Sequence, residues 1–139
     1  MTKKVLSLLL LSLILCSILI TPALASMNSS LYINSTTAYI SRSGGSLTIH
    51  FDITGNNMMD YSGATKVYLY EKTAGTWYLV KTYSYTDYLY TDMMKSNSSV
   101  NYCNLPFNGS ATKNYYATVV FYAERSGGSD SYNQDTSEV

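Results

Sequence analysis

The sequence contains few of the residues from which reactive sites and covalent cross-links are built. It has one histidine, His50, and two cysteines, Cys16 and Cys103. A zinc site or a Ser-His-Asp triad would have to use His50, and no other ligand or nucleophile motif lies at a usable spacing from it. We therefore expect no catalytic residue, no metal site and no cofactor, and we predict that the protein is not an enzyme.

Charge is also scarce, since only 13% of the residues are charged and nine basic residues balance nine acidic ones. No block of either sign occurs along the chain. Nucleic-acid binding and attachment through a polybasic membrane patch both require clustered positive charge. Both are disfavoured, and a cationic toxin is disfavoured for the same reason.

The amino-terminal region has the pattern of a secretory signal peptide. Two lysines precede a 16-residue apolar run from Val5 to Ile20, and small residues follow at Ala23 and Ala25. The run is shorter than the roughly 20 residues that cross a bilayer. We predict residues 1–25 as a signal peptide cleaved between Ala25 and Ser26, and residues 26–139 as one secreted, extracellular domain that meets the membrane only before cleavage.

Cleavage would remove Cys16 and leave Cys103 as the single cysteine of the exported domain. No internal disulfide can then form, so the domain must be stabilised by burial, at about 1.5–3 kcal/mol for each large apolar side chain. Cys103 and Leu105 are two residues apart on a predicted strand and so project from the same face, which favours a buried thiol. An intermolecular disulfide and a reactive thiol paired with His50 stay open as alternatives.

Tyrosine dominates the aromatic residues, with 15 Tyr against three Phe and one Trp. This composition favours strands and argues against disorder. Four Asn-X-Ser/Thr triplets begin at Asn28, Asn34, Asn97 and Asn108. Whether they carry glycans depends on the source of the protein.

Alternation of apolar and polar residues predicts six to seven strands and no helix after the signal peptide. The clearest strand is Ser46–Thr54, in which Leu47, Ile49, Phe51 and Ile53 share one face. We predict that it ends at Gly55–Asn57 and that a loop runs from Met58 to Gly63.

Further strands are predicted around Leu31–Ile40 with a break at Asn34, in a hairpin of Thr65–Glu71 and Thr76–Tyr83, and at Ser98–Leu105, Asn114–Ala123 and Ser129–Thr136. The run Asn114–Ala123 is apolar on both faces, so we place it at the centre of the sheet. In Thr76–Tyr83 the pattern leaves open whether Trp77 and Leu79 or Tyr78 and Val80 point inward. The fold class predicted is a single all-β sandwich of the immunoglobulin or fibronectin type III kind.

The segment Tyr116–Ser131 resembles the last two strands of a fibronectin type III domain, in which a tyrosine opens a long strand and a Gly-Ser turn precedes the final one. Leu105-Pro106, upstream of Tyr115 and Tyr116, is similar to the tyrosine corner of such sandwiches. The strand Ser46–Thr54 departs from that family because it lacks a tryptophan.

Three segments, Gly63–Lys72, Gly75–Val80 and Tyr115–Glu124, together with the signal peptide, resemble small exported proteins of unknown function from clostridia-like Gram-positive bacteria. The resemblance implies a β-sandwich fold and an extracellular location. It implies no active residues.

Tyrosines provide the candidate binding residues. Tyr83, Tyr85, Tyr88 and Tyr90 cluster in one short segment, and we interpret them as an exposed strip that binds a glycan or an extracellular protein. Tyr68 and Tyr70, on the outer face of their strand, and Tyr78 could extend this strip. The alternative for the whole cluster is that cross-strand tyrosine pairs only stabilise the sheet. A calcium site built from Asp87, Asp92, Asp130 and Asp135 is a further alternative, although their spacing matches no calcium loop.

Overall fold

The computed structural model describes residues 30–139, and these residues form an all-β chain. The predicted signal peptide and its Ala25–Ser26 cleavage site lie outside them. In the described range there is no α-helix, and nothing helical has the length and hydrophobicity of a membrane span. The strands are β1 (Ile33–Ser43), β2 (Ser46–Thr73), β3 (Thr76–Ser84), β4 (Met94–Asn108), β5 (Asn114–Arg125) and β6 (Gly128–Asp135), with a 3₁₀ turn at Thr91–Met93.

The strand β2 organises the sheet because it pairs with four of the other strands. Its first half pairs with β1 along one edge and with β4 along the other. Its second half pairs with β5 and β3, and β6 extends the sheet beyond β5. All pairings are antiparallel, and the six strands form one curled sheet whose inner face encloses the core.

The continuity of β2 contradicts the predicted end at Gly55–Asn57 and the predicted loop from Met58 to Gly63. Pairing of β2 shifts register between Thr54 and Met59, and again between Ala64 and Lys66. The first shift leaves three extra residues on β2 and the second leaves one, Thr65, so the inward row of odd-numbered residues is broken and resumes at Val67. The apolar alternation is therefore interrupted although the strand continues to Thr73.

A further bulge settles the register of β3. Leu69 pairs with Lys81 while the next residue, Tyr70, pairs with Leu79, so Val80 is the extra residue. Leu79 and Val80 are both exposed. Trp77 and Leu79 lie on the outer face, paired with Lys72 and Tyr70, while Tyr78 is exposed and Val80 is the bulged residue. Neither of the two predicted pairs therefore enters the core.

The two halves of the sheet pack against each other through their inner faces. Phe51 on β2 contacts Phe121 on β5 edge to face, with ring centroids 5.9 Å apart. The predicted inward row of Ser46–Thr54 is confirmed, since Ile49 and Ile53 are fully buried. The central position of β5 is also confirmed by its pairing with both β2 and β6.

Tyr115 closes the end of the core at the start of β5. Its side chain is fully buried, and its hydroxyl accepts a 2.8 Å hydrogen bond from the Ser110 amide five residues upstream. The same hydroxyl donates to the Glu71 carboxylate at 2.7 Å, which lowers the pKa of Glu71. This phenol therefore joins the β4–β5 connection to the end of β2.

Candidate binding site

A surface cleft of about 630 Å³ lies where β2 passes from one half of the sheet to the other. Its lining is aromatic and polar. It consists of Tyr61, Thr65, Tyr85, Thr91, Met94, Ser96, Tyr122 and Glu124.

Three neighbouring strands bring the floor of the cleft together. Tyr61 on β2 is paired with Ser96 on β4 along one edge and with Glu124 on β5 along the other. Directly paired residues in antiparallel strands project from the same face. Since Tyr61 is 49% exposed, its ring remains available to a ligand.

The loop between β3 and β4 forms one wall. The Tyr85 amide donates to the Thr65 carbonyl at 3.3 Å, which attaches the start of the loop to β2. Asp87 N donates to Ser84 O at 3.0 Å and Tyr90 N to Asp87 O at 2.9 Å, so consecutive turns fold the loop back toward the sheet. Tyr85 is thereby held beside the cleft with 39% of its surface exposed.

Asn101 and Gly63 fix the 3₁₀ turn against β2. The buried Asn101 Nδ2 donates to Ser62 O and to Met93 O, each at 3.1 Å. A Cβ atom on Gly63 would lie 2.0 Å from Met93 O, so only glycine permits this approach. The turn carries Thr91, and β4 begins immediately after it with Met94, which places both residues in the cleft wall.

Tyr122 and Glu124 form the most polar part of the lining. The Tyr122 hydroxyl donates to Glu124 Oε2 at 2.6 Å. This hydrogen bond, followed by partial burial, raises the pKa of Tyr122. The contact orients both groups and leaves Glu124 Oε1 without a hydrogen bond from the part of the chain that the structure describes. The cleft thus combines three aromatic rings, a carboxylate and several hydroxyl groups.

The predicted strip of four tyrosines does not form. Tyr83 is only 1% exposed, because it pairs with Val67 on the inner row, and its hydroxyl donates to Pro106 O at 2.8 Å. Tyr90 packs edge to face against Tyr83, and Tyr88 is 83% exposed but lies outside the cleft. Only Tyr85 of the predicted set lines it.

Sequence reasoning missed Tyr61, Tyr122 and Glu124. Tyr61 lies in the segment predicted as a loop. Tyr122 lies on the face of β5 opposite to that of Phe121, and nothing in its spacing distinguishes it from the other tyrosines of that strand. The register that unites these residues comes from pairing between strands distant in sequence.

Other tyrosines stabilise the outer face of the sheet. Tyr70 stacks on Tyr116 with centroids 4.8 Å apart, and Trp77 contacts Tyr116 edge to face at 4.7 Å. Lys72 lies over the Trp77 ring at 5.0 Å. These rings contact one another across β3, β2 and β5, as the cross-strand interpretation of Tyr70 predicts.

His50 and Cys103 do not meet. Cys103 is free and buried on the inner face, opposite Phe51, and burial raises the pKa of its thiol. The prediction of a buried thiol is confirmed. His50 projects from the outer face, where Tyr39 stacks on it and Ser41 and Asn104 each lie 2.7 Å from a ring nitrogen.

The four aspartates of the calcium alternative are not gathered into one site. Asp130 Oδ2 accepts from the Ser30 hydroxyl and the Tyr32 amide, whereas Asp87 Oδ1 accepts from the Leu89 amide in the cleft-side loop. Within residues 30–139 no group of three or more His, Cys, Asp or Glu side chains is positioned to hold a metal ion.

Comparisons with known proteins give little context. No family model matches the chain, and no curated protein matches it. Among solved structures, the sporulation control protein Spo0M from Bacillus subtilis is similar with a TM-score of 0.43 and 6% identity, over 73% of this chain and 47% of that one. The chain spans about half the length of that structure.

Proposed function

We propose that this protein is a secreted binding module that recognises carbohydrate through the aromatic cleft, and that the cleft itself is non-catalytic. The observation that carries the proposal is the convergence of Tyr61, Tyr85 and Tyr122 with the Glu124 carboxylate in one surface cleft of about 630 Å³. A volume of this size suits a small organic ligand.

The lining matches the chemistry of a sugar ring. A pyranose presents an apolar C–H face, which packs on aromatic rings, and a rim of hydroxyl groups, which need hydrogen-bond partners. Glu124 can accept from such hydroxyls through its free oxygen, and Tyr122 holds the carboxylate in place. Thr91 and Ser96 add further hydroxyl groups at the wall.

The same lining favours binding over hydrolysis. Glycoside hydrolases ordinarily use two carboxyl groups that flank the scissile bond. Glu124 is the single carboxylate among the lining residues, and the lining has neither histidine nor cysteine. The alternative enzyme that uses Cys103 and His50 is disfavoured because these residues occupy opposite faces of the sheet.

We also propose that the curled sheet is a β-sandwich of the immunoglobulin or fibronectin type III kind. Two features support this proposal: the inner faces pack through Phe51 and Phe121, and the Tyr115 hydroxyl bonds to the upstream backbone as in a tyrosine corner. Binding sites in such domains are displayed on a rigid scaffold. Secretion is proposed from the apolar run Val5–Ile20 and the small residues before Ser26.

An array of immobilised glycans tests the proposed function. It should include glucans, xylans, chitin oligosaccharides and peptidoglycan fragments. We expect binding to at least one class, and we expect Tyr61→Ala and Tyr85→Ala to weaken it about tenfold each, or ~1.4 kcal/mol.

Tyr88→Ala is the matched control, because Tyr88 is an exposed tyrosine in the same loop as Tyr85 but outside the cleft. It should bind like the wild type. Absence of binding across the array would overturn carbohydrate recognition. Equal losses in all three variants would overturn the assignment of the cleft.

A further inference from the structure

Three hydrogen-bonded side chains cross the outer face of the sheet where β1 and β4 pair with the first half of β2. Ser41 lies on β1, His50 on β2 and Asn104 on β4. The Ser41 Oγ is 2.7 Å from His50 Nε2, and Asn104 Oδ1 is 2.7 Å from His50 Nδ1. Tyr39 stacks on the imidazole, with centroids 4.6 Å apart and planes inclined by 17°.

The acceptor character of Asn104 Oδ1 determines the tautomer of His50. A carbonyl oxygen can only accept, so His50 Nδ1 must carry the proton in this contact. The Nε2 lone pair of the neutral ring is then free, and the Ser41 hydroxyl donates to it. This order of nucleophile, base and orienting group is the one found in serine and cysteine hydrolases, some of which use asparagine as the third member.

We propose that Ser41 is a nucleophile that accepts acyl groups from small activated esters, with His50 as its general base. Asn104 is a positioning residue, because it acts on the ester only through His50. Ser41 is exposed, so an ester can reach its Oγ from solvent. Pairing within β1, β2 and β4 fixes the spacing of the three residues.

The reaction requires no further cofactor. Ser41 Oγ bonds to the acyl carbon while its proton passes to His50 Nε2. The tetrahedral intermediate then expels the alkoxide, which takes the proton from Nε2, and leaves an acyl-Ser41 ester. Water attacks this ester, again with proton transfer to Nε2. The second tetrahedral intermediate breaks its bond to Ser41 Oγ, releases the carboxylic acid and returns the Nε2 proton to Oγ, which restores the Ser41 hydroxyl.

The open position limits the activity to reactive substrates. The three residues lie on the outer face of a sheet, where solvent rather than an enclosed set of donors stabilises the oxyanion. We therefore expect slow turnover and a requirement for good leaving groups. This proposal is independent of the cleft, which lies where β2 meets β4 and β5.

Fluorophosphonate labelling followed by intact-mass analysis tests the nucleophile. We expect one adduct per chain, located at Ser41 by peptide mapping and absent from Ser41→Ala. His50→Gln should slow labelling at least tenfold. Thr48→Ala, which changes the residue paired with Ser41, should label at the wild-type rate.

The single histidine permits an independent test of the geometry. Long-range ¹H–¹⁵N spectra of neutral His50 should show the proton on Nδ1, and Asn104→Ala should reduce that preference together with the labelling rate. Labelling no faster than in the denatured protein, an adduct elsewhere, or an unchanged rate in His50→Gln would overturn the proposal. The three side chains would then serve only to connect β1, β2 and β4.

Discussion

The Tyr122 hydroxyl and the Glu124 carboxylate lie 2.6 Å apart on the same face of β5. Residues two apart on a strand share a face, so this contact follows from the extended backbone. It gives the cleft a carboxylate of fixed orientation next to an aromatic ring.

The contact predicts an altered titration of Tyr122. Its hydroxyl donates to Glu124, which favours the protonated phenol and raises its pKa above that of free tyrosine. Glu124→Gln should lower the Tyr122 pKa toward the ordinary value. ¹³Cζ tyrosine spectra across alkaline pH measure the change. Tyr39, on the other half of the sheet, is the internal control, and an unchanged Tyr122 curve would contradict the contact.

Burial of Tyr83 predicts loss of stability at alkaline pH. Burial, with a smaller contribution from Tyr90, raises its pKa from 10.0 to about 12. The unfolded chain therefore loses this proton first as pH rises. The stabilising contribution of Tyr83 is fully present below pH 10 and is lost between pH 10 and about 12.

Urea unfolding of the wild type and Tyr83→Phe across this range measures the effect. The variant lacks the ionisable group and the hydrogen bond to Pro106 O, so it should be about 1 kcal/mol less stable at neutral pH. Its stability should decline less between pH 10 and 12. If the free energies of unfolding of the two proteins fell in parallel between pH 10 and 12, the raised pKa of Tyr83 would be contradicted.

The close packing at Gly63 predicts that Gly63→Ala lowers the free energy of unfolding much more than Gly44→Ala does. In Gly63→Ala the new Cβ would lie 2.0 Å from the Met93 carbonyl oxygen, so the backbone of the 3₁₀ turn must move. We expect a loss of about 3 kcal/mol, the upper end of overpacking, and weaker glycan binding. Gly44→Ala has no atom within 4 Å of its Cβ but keeps a φ of +60°, so it should lose about 1 kcal/mol and bind normally.

Equal unfolding free energies for the two alanine variants would contradict this packing. Retention of full glycan binding by a folded Gly63→Ala protein would contradict the role of the 3₁₀ turn in positioning the cleft wall.

Cys103 should be unreactive in the native protein. It is 8% exposed, and burial raises the pKa of its thiol, so little thiolate is available to a reagent. We expect Ellman's reagent to label less than a tenth of the protein in native buffer within minutes and, for protein prepared from Ser26 onward, one thiol per chain in denaturant. Rapid native labelling, or a covalent dimer on a non-reducing gel, would contradict this placement.

The sequence predicted those features that depend on local alternation. Leu47 to Ile53 alternate without interruption, and β5 is apolar on both faces, so the core and the central strand could be identified. The break predicted at Asn34 coincides with a register shift between Ile33 and Ser35. These patterns reflect the two-residue period of a strand and require no knowledge of its partners.

The cleft could not be predicted because it depends on pairing between distant segments. The extra residue Val80 in β3 turns Tyr83 inward although Leu79, of the same parity, faces outward, and Tyr61 lies between two register shifts of β2 in the segment predicted as a loop. The role of Asn101 could not be predicted either, because its side chain donates to the Met93 carbonyl only after folding has brought the 3₁₀ turn to β2. Register is a property of the folded sheet and has no local signal here.

The most direct test of the account is an NMR titration with a soluble oligosaccharide of the class that the protein binds most tightly on the array. With selectively labelled tyrosine, the ring signals of Tyr61, Tyr85 and Tyr122 should shift together along one saturable curve, while those of Tyr39, Tyr88 and Tyr102 stay unchanged. Shifts confined to tyrosines outside the cleft, or no saturable shift at any tyrosine, would contradict the proposal that this cleft is the binding site.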